Sequence, residues 1–377
     1  MRDEQPLFAD RLARRVFRGL GALPPGLQRW LGGRPIRVDG QTLHPTAQLG
    51  LRILNRLIAD TFETRPVAEG REEIRREAWI FGKPEALERV DDLTIDGPNG
   101  AIPARFYQPD RARAEGALVV YFHGGGWVLG GLDSADSVIR YLANRTGCSF
   151  LSVDYRLAPE HKFPAGLEDS LAAFDYAVDH AQEFGCDPRL VAVAGESAGG
   201  NISAVLSQIT AKRARSDPQL PVPAFQMLLQ PVTDLSRKHA SYQLFRQGYF
   251  LTEAQMDWYK QHYLHTPEEA LDPRASPLLA KSLDGLCPAY VAVSGFDPLR
   301  DEGEAYAHRL QEAGVQVTLR RFSAHTHGII NATGIGFVAQ EMLLELSGAL
   351  TALIAQAATR QGLATSSTST GESPRTW

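Results

Sequence analysis

Leu190-Val191-Ala192-Val193-Ala194-Gly195-Glu196-Ser197-Ala198-Gly199-Gly200-Asn201 joins an apolar run of strand type to a helical pattern over 201–212 through one sharp turn. A serine at such a junction takes a strained backbone conformation, and the glycines two residues to either side let the neighbouring chain pass without a Cβ clash. The strain lifts the Ser197 hydroxyl clear of the backbone, within reach of a base. The same turn aims the Ala198 amide at the start of the new helix, whose positive end favours a developing oxyanion. A bare G-x-S-x-G arises by chance in roughly one chain in ten of this length, where it is a glycine-rich loop packing a helix onto a sheet. The flanking sequence therefore decides.

Upstream, the buried-strand pattern over 117–122 runs straight into His123-Gly124-Gly125-Gly126-Trp127. Three glycines after a strand leave amides unshielded by side chains, so the backbone can close on a substrate oxygen. Gly124, Gly125 and Gly126, with Ala198, are the candidate oxyanion hole. His123 reads as a structural hydrogen-bonding group, and Trp127 as either a pocket wall or a packed core tryptophan. Downstream, a strand over 289–294 ends at Gly295-Phe296-Asp297-Pro298-Leu299-Arg300-Asp301-Glu302-Gly303, and a strand over 316–322 at Ser323-Ala324-His325-Thr326-His327-Gly328. An acid past one strand and a histidine past the next fall on the same rim as Ser197, and the order Ser, Asp, His is that of an α/β-hydrolase.

Between these points strands and helices alternate: helix 135–146, strand 148–154, helix 167–184, the serine turn, strand 224–229, helix 304–313. That alternation predicts a mostly parallel sheet with helices on both faces, an α/β fold. A hairpin over 90–107 opens it, turning at Asp96-Gly97-Pro98-Asn99-Gly100. Before residue 85 the pattern is helical, with no strand alternation. Residues 1–35 carry Leu12, Val16, Phe17 and Leu20 among Arg11, Arg14, Arg15 and Arg18. This is a helix packed on the body, or a segment that touches lipid or guards an entrance. A second helical stretch covers 46–64. Residues 233–275 are irregular and aromatic, 338–357 form a docking helix, and the Ser/Thr-rich tail from 360 reads as disordered. The expected organisation is an N-terminal helical segment 1–87, core 88–232, insertion 233–275, core 276–359 and tail 360–377.

The 377 residues carry a net charge of −5 and are 44% hydrophobic, enough for a large core and no electrostatic match for nucleic acid. Cys148, Cys186 and Cys287 are odd in number and unpatterned in spacing, which suggests neither a disulfide framework nor a zinc site. No apolar run approaches bilayer length, and Asp3, Glu4 and Asp10 spoil a secretory signal, so a cytoplasmic protein without stable membrane insertion is expected.

The chain resembles the bacterial hormone-sensitive-lipase family of α/β-hydrolases, the family IV esterases. The resemblance rests on residues 123–127, on Asp154-Tyr155-Arg156-Leu157-Ala158-Pro159-Glu160, on 195–201 and on 297–303, with Ser276-Pro277-Leu278-Leu279-Ala280 and His327-Gly328 in support. It covers about 45–355. It implies an eight-stranded sheet and a helical cap built from the N-terminal segment and the 233–275 insertion. It also implies hydrolysis of short- to medium-chain carboxylic esters without cofactor or metal, and pairing of two copies through the final edge strand. Ile329 stands where the family usually has Phe, and some forty extra N-terminal residues are present; both bear on pocket shape and acyl preference.

On this reading Ser197 is the nucleophile, His327 the base and Asp297 its partner, with oxyanion amides from Ala198 and, by resemblance, Gly125 and Gly126. Asp301 competes with Asp297, but it sits just before a helical run and suits a helix N-terminus. His325 competes with His327, which Gly328 and the family match favour. Glu196 orders the serine turn at the edge of the substrate pocket, and His161 is structural. The substrate is a small-molecule ester. Amide or carbamate hydrolysis is the neighbouring alternative; a catalytically silent receptor on the same fold would lack the histidine.

Overall fold

Leu118–Phe122 and Val191–Glu196 are buried at every position, so both strands are covered on both faces and read as unbroken apolar runs. In the computed structural model, which describes residues 7–57, 61–110 and 116–363, they lie side by side at the centre of an eight-stranded sheet. Its strands are β1 (Arg89–Gly97), β2 (Gly100–Gln108), β3 (Leu118–Phe122), β4 (Ser149–Val153), β5 (Val191–Glu196), β6 (Gln226–Leu229), β7 (Ala289–Phe296) and β8 (Val317–Thr326). The spatial order is β8-β7-β6-β5-β3-β4-β2-β1. Strands β3 to β8 are mutually parallel, whereas β2 runs antiparallel to β4 and to β1. The α/β-hydrolase architecture expected from the sequence is the architecture found.

The period of two along each strand divides the core in half. Leu118, Val120 and Phe122 of β3 pack with Phe174 and Ala177 of helix Ala165–Asp179 and with Ile202 and Leu206 of helix Ala198–Ser216. Val119 and Tyr121 face the other way, onto Val138 and Leu142 of helix Leu132–Thr146 and Met342, Leu346 and Leu350 of helix Val338–Arg360. Each helix presents one apolar stripe to the sheet, which is why strands and helices must alternate along the chain.

Three expectations need correction. Residues before 85 are not all helical: Arg37–Val38 and Gln41–Thr42 form a small antiparallel ribbon turning at Asp39 and Gly40, and two residues per strand are too few for alternation to show. The final helix is by length and composition apolar enough to cross a membrane, contrary to the sequence reading, but half of it is buried and its Met342–Leu350 face is core. That helix runs on to Arg360; residues 364–377 of the expected tail, like Ile58 of the second helical stretch, lie outside the described residues. The segment before the sheet and the insertion meet each other: Phe62 packs on Trp258 and Tyr259 (ring centroids 5.4 and 5.3 Å), and Asn55 Nδ2 donates to the Gly248 carbonyl at 3.2 Å.

Candidate active site

Because β3, β5, β7 and β8 are parallel, the residues that follow each of them share one rim of the sheet. After β5 comes Ser197, at φ 56° and ψ −114°, a conformation costly for a residue with a Cβ. The two flanking glycines make it attainable. A Cβ at Gly195 would lie 2.3 Å from the Gly199 carbonyl, and one at Gly199 would lie 1.9 Å from the Phe122 carbonyl oxygen and 2.8 Å from that of His123. These obstacles are backbone atoms, so no rotamer change relieves them. Gly199→Ala is expected to gain about 1 kcal/mol of helix propensity and to lose about 3 kcal/mol or more to the collision. A chemical-denaturation curve for the variant that overlays the wild-type curve would refute this.

Ser197 Oγ lies 3.1 Å from His327 Nε2, and His327 Nδ1 lies 2.8 Å from Asp297 Oδ2. All three are less than a tenth exposed. The second Asp297 oxygen accepts the Leu299 amide at 2.9 Å, which fixes the carboxylate plane. Burial alone would push the His327 imidazole down. The Asp297 carboxylate, by charge and hydrogen bond, and the charge of Glu196 outweigh burial and raise it above its ordinary value.

The competing residues are engaged elsewhere. Asp301 is in the first turn of helix Arg300–Glu312 and accepts the Ser241 amide at 2.8 Å. His325 Nε2 meets the Val338 carbonyl at 3.1 Å. The His161 amide closes a turn onto the Leu157 carbonyl. His123 stacks on Tyr155 and holds the Gly124 carbonyl through Nδ1 at 2.7 Å.

The glycine loop passes against the serine: a Cβ at Gly124 would be 3.5 Å from Ser197 Cβ. Gly125 (φ 109°) and Gly126 (φ 60°) take conformations that disfavour side chains, and a Cβ at Gly126 would strike the Tyr259 ring at 2.2 Å. Among the described residues the amides of Gly125, Gly126 and Ala198 have no backbone acceptor outside regular elements. The 154–160 motif buttresses this loop. Tyr155 OH donates to the His123 carbonyl at 2.8 Å, the Ala158 amide donates to the Trp127 carbonyl at 2.8 Å, and Arg71 ties the carbonyls of Val128 and Ala158 to Glu160. Trp127 is 1% exposed and stacks flat on Tyr263, ring centroids 4.2 Å apart, as a packed core tryptophan does.

Glu196 sits beneath the histidine turn, both carboxylate oxygens accepting from Asn331 Nδ2 at 3.1 and 2.8 Å, and burial raises its pKa. Sequence reasoning missed Asn331, and it also missed Gln230. Gln230 is 1% exposed at φ 49°, just past β6. Its Nε2 donates to the Thr326 carbonyl at 3.1 Å and to Ser294 Oγ, and its Oε1 accepts the Gly328 amide at 2.9 Å, so one side chain grips the backbone on both sides of His327. A position at the carboxyl end of a parallel strand was the one available signal. Among the described residues no group of three or more His, Cys, Asp or Glu is placed to hold a metal ion.

Residues 119–331 match the family described as having the alpha/beta hydrolase fold. The chain is 44% identical over 317 residues to the carboxylic ester hydrolase LipN of Mycobacterium tuberculosis, covering 81% of each. It is 37% identical to the ethyl acetate hydrolase of Pseudomonas putida, covering 72% of this chain and 86% of that one. Among solved structures, the hyperthermophilic esterase of the archaeon Pyrobaculum calidifontis is 38% identical with a TM-score of 0.75, covering 81% of this chain and 97% of that one. The family match and these identities show that the chain belongs to the α/β-hydrolase family, in its hormone-sensitive-lipase-like branch.

Proposed function

We propose that the protein is a serine carboxylesterase that hydrolyses small carboxylic esters through an acyl-enzyme intermediate. The observation that carries this reading is the unbroken hydrogen-bonded chain from Ser197 Oγ through the His327 ring to Asp297. Ser197 Oγ attacks the ester carbonyl carbon while His327 Nε2 takes its proton. Asp297 holds the ring so that Nε2 is the free base, and stabilises the imidazolium. The tetrahedral oxyanion is held by the amides of Gly125, Gly126 and Ala198, each donor supplying a few kcal/mol of transition-state stabilisation. As the intermediate collapses, His327 returns the proton to the departing alkoxide. Water then attacks the acyl-serine with His327 again as base, releasing the acid and free enzyme. The cap over this rim is the 233–275 insertion, where Tyr259 lies against Gly126 and Phe250 against Gly328, together with the part of the N-terminal segment that meets it at Phe62 and Asn55.

The test is turnover of 4-nitrophenyl esters of increasing acyl length, run beside an anilide, with labelling of Ser197 by a fluorophosphonate. Fast ester cleavage that falls off with chain length, slow anilide cleavage and one labelled serine are expected. An anilide cleaved as fast as the ester would move the protein to the amidase class. No labelling at all would end the enzyme reading.

Gln230 is a positioning residue for His327. Gln230→Met keeps the volume but removes both grips, and is expected to lower kcat roughly tenfold to a hundredfold while KM stays within about threefold, because a misplaced base costs rate more than binding. Equal losses in both constants would mean that the side chain shapes the pocket instead.

A further inference from the structure

Helix Phe8–Gly21 uses only part of its surface to hold the body of the protein. Its inner face is well anchored. Asp10 pairs with Arg76 at 2.7 Å, Arg18 donates to the Gly82 carbonyl at 3.2 Å, Phe17 packs edge-on against Phe81, and Gly21 abuts Gly336. Phe8, Leu12 and Val16 are spaced by four residues, so they form one stripe on the opposite side. They are 83, 52 and 46% exposed, and Leu7 just before them is 62% exposed. An apolar stripe left to water on a firmly docked helix is a surface built for something else.

The charge around it says what that is. The whole chain carries −5, yet residues 7–37 hold seven arginines against one aspartate, Asp10, which is already paired; Arg14 and Arg18 turn inward onto Trp79 and Gly82, and Arg11, Arg15, Arg29, Arg34 and Arg37 are exposed. Exposed Arg11 and Arg15 run along one edge of the stripe, and exposed Arg29 and Trp30 follow on helix Pro25–Gly32. Arginine beside an apolar stripe, with tryptophan close by in sequence, is the chemistry of a helix lying in a lipid headgroup layer. A face for a second copy of this acidic chain would not need so strong a local excess of positive charge.

We propose that this helix docks the protein peripherally onto anionic phospholipid surfaces, with Phe8, Leu12 and Val16 entering the headgroup–acyl boundary and the arginines meeting lipid phosphates. The proposal does not depend on the esterase reading, because its readout is binding. The full-length protein is sedimented with vesicles of phosphatidylcholine alone and of equimolar phosphatidylcholine and phosphatidylglycerol, at low and high salt. Partitioning onto the anionic vesicles is expected to exceed that onto neutral ones by roughly tenfold or more and to fall with salt. F8S/L12S/V16S should lower it by at least about tenfold, and R11Q/R15Q should remove most of the anionic preference. All of these positions are exposed, so both variants should keep the wild-type melting curve, which shows that they fold. Failure of the wild-type protein to bind anionic vesicles, or equal binding by the triple serine variant, overturns the proposal. A wild-type dimer in light scattering that the triple variant converts to monomer also overturns it, since a second copy would then be covering the stripe.

Discussion

Ser197→Ala is expected to abolish ester turnover, with kcat falling about five to six orders of magnitude while the protein remains folded. At about 1.4 kcal/mol per decade this is roughly 7–8 kcal/mol of transition-state stabilisation, far more than any single hydrogen bond contributes. The size follows from the loss of a reaction path. Without Oγ there is no acyl-enzyme, and what survives is whatever the oxyanion amides and the bound geometry do for direct attack by water. Stability should change by less than about 1 kcal/mol, because alanine at φ 56° bears the same backbone strain as serine and the lost atom makes a single hydrogen bond. Burst kinetics with a 4-nitrophenyl ester, fluorophosphonate labelling and a denaturation curve measure the three consequences separately. A variant that retained even a hundredth of the wild-type rate would mean that the nucleophile lies elsewhere.

The opposite balance at Gly199 shows why the serine turn was so legible. The two positions call for glycine because backbone atoms occupy the space of a Cβ, those of Gly199 and Phe122 at Gly195 and those of Phe122 and His123 at Gly199, and that constraint is local enough to read at five consecutive positions. The strand–helix alternation was legible for a related reason: strands buried on both faces need continuous apolar runs, and their helices need one stripe each. What could not be read was anything fixed by partners distant in the chain. Gln230 grips residues 96 and 98 positions away, and Asn331 reaches back 135 positions to Glu196; each is an ordinary polar residue until the fold brings its partner. Trp127 illustrates the same limit from the other side. Its flat stacking on Tyr263 depends on how the insertion settles over the glycine loop, and no local pattern encodes that.

The choice between His327 and His325 turned on a glycine and a family likeness, and the structure supplies the physical reason behind both. Gly328 stands at φ 69°, which turns the chain immediately after His327 and lets Gln230 reach its amide. His325, two residues earlier and still on β8, lies before that turn, and its Nε2 meets the Val338 carbonyl at the start of the final helix.

Asp297→Asn is the second large effect, and its pH dependence makes it the more searching test. An asparagine fits the space of the carboxylate, but it can present an N–H to His327 Nδ1 and so favour the tautomer whose proton points at Ser197. The ring is then no longer a base, and kcat is expected to fall about four orders of magnitude. The residual activity should also titrate differently. In the wild-type protein, burial pushes the His327 pKa down, and the Asp297 charge and hydrogen bond, with Glu196, overcome it; the acid limb of kcat should therefore inflect above 6.5. Activity rises with pH through that limb because the neutral ring is the working form. Removing the Asp297 charge leaves burial dominant, so the limb of the variant should move to lower pH. Stability carries the complementary sign. A raised histidine pKa is stabilisation fully present below about 6.5 and lost as pH climbs through the folded value, so the stability gap between wild type and variant should narrow on the alkaline side. An acid limb that stays in place in Asp297→Asn would show that another group, not the Asp297 carboxylate, holds the charge of His327.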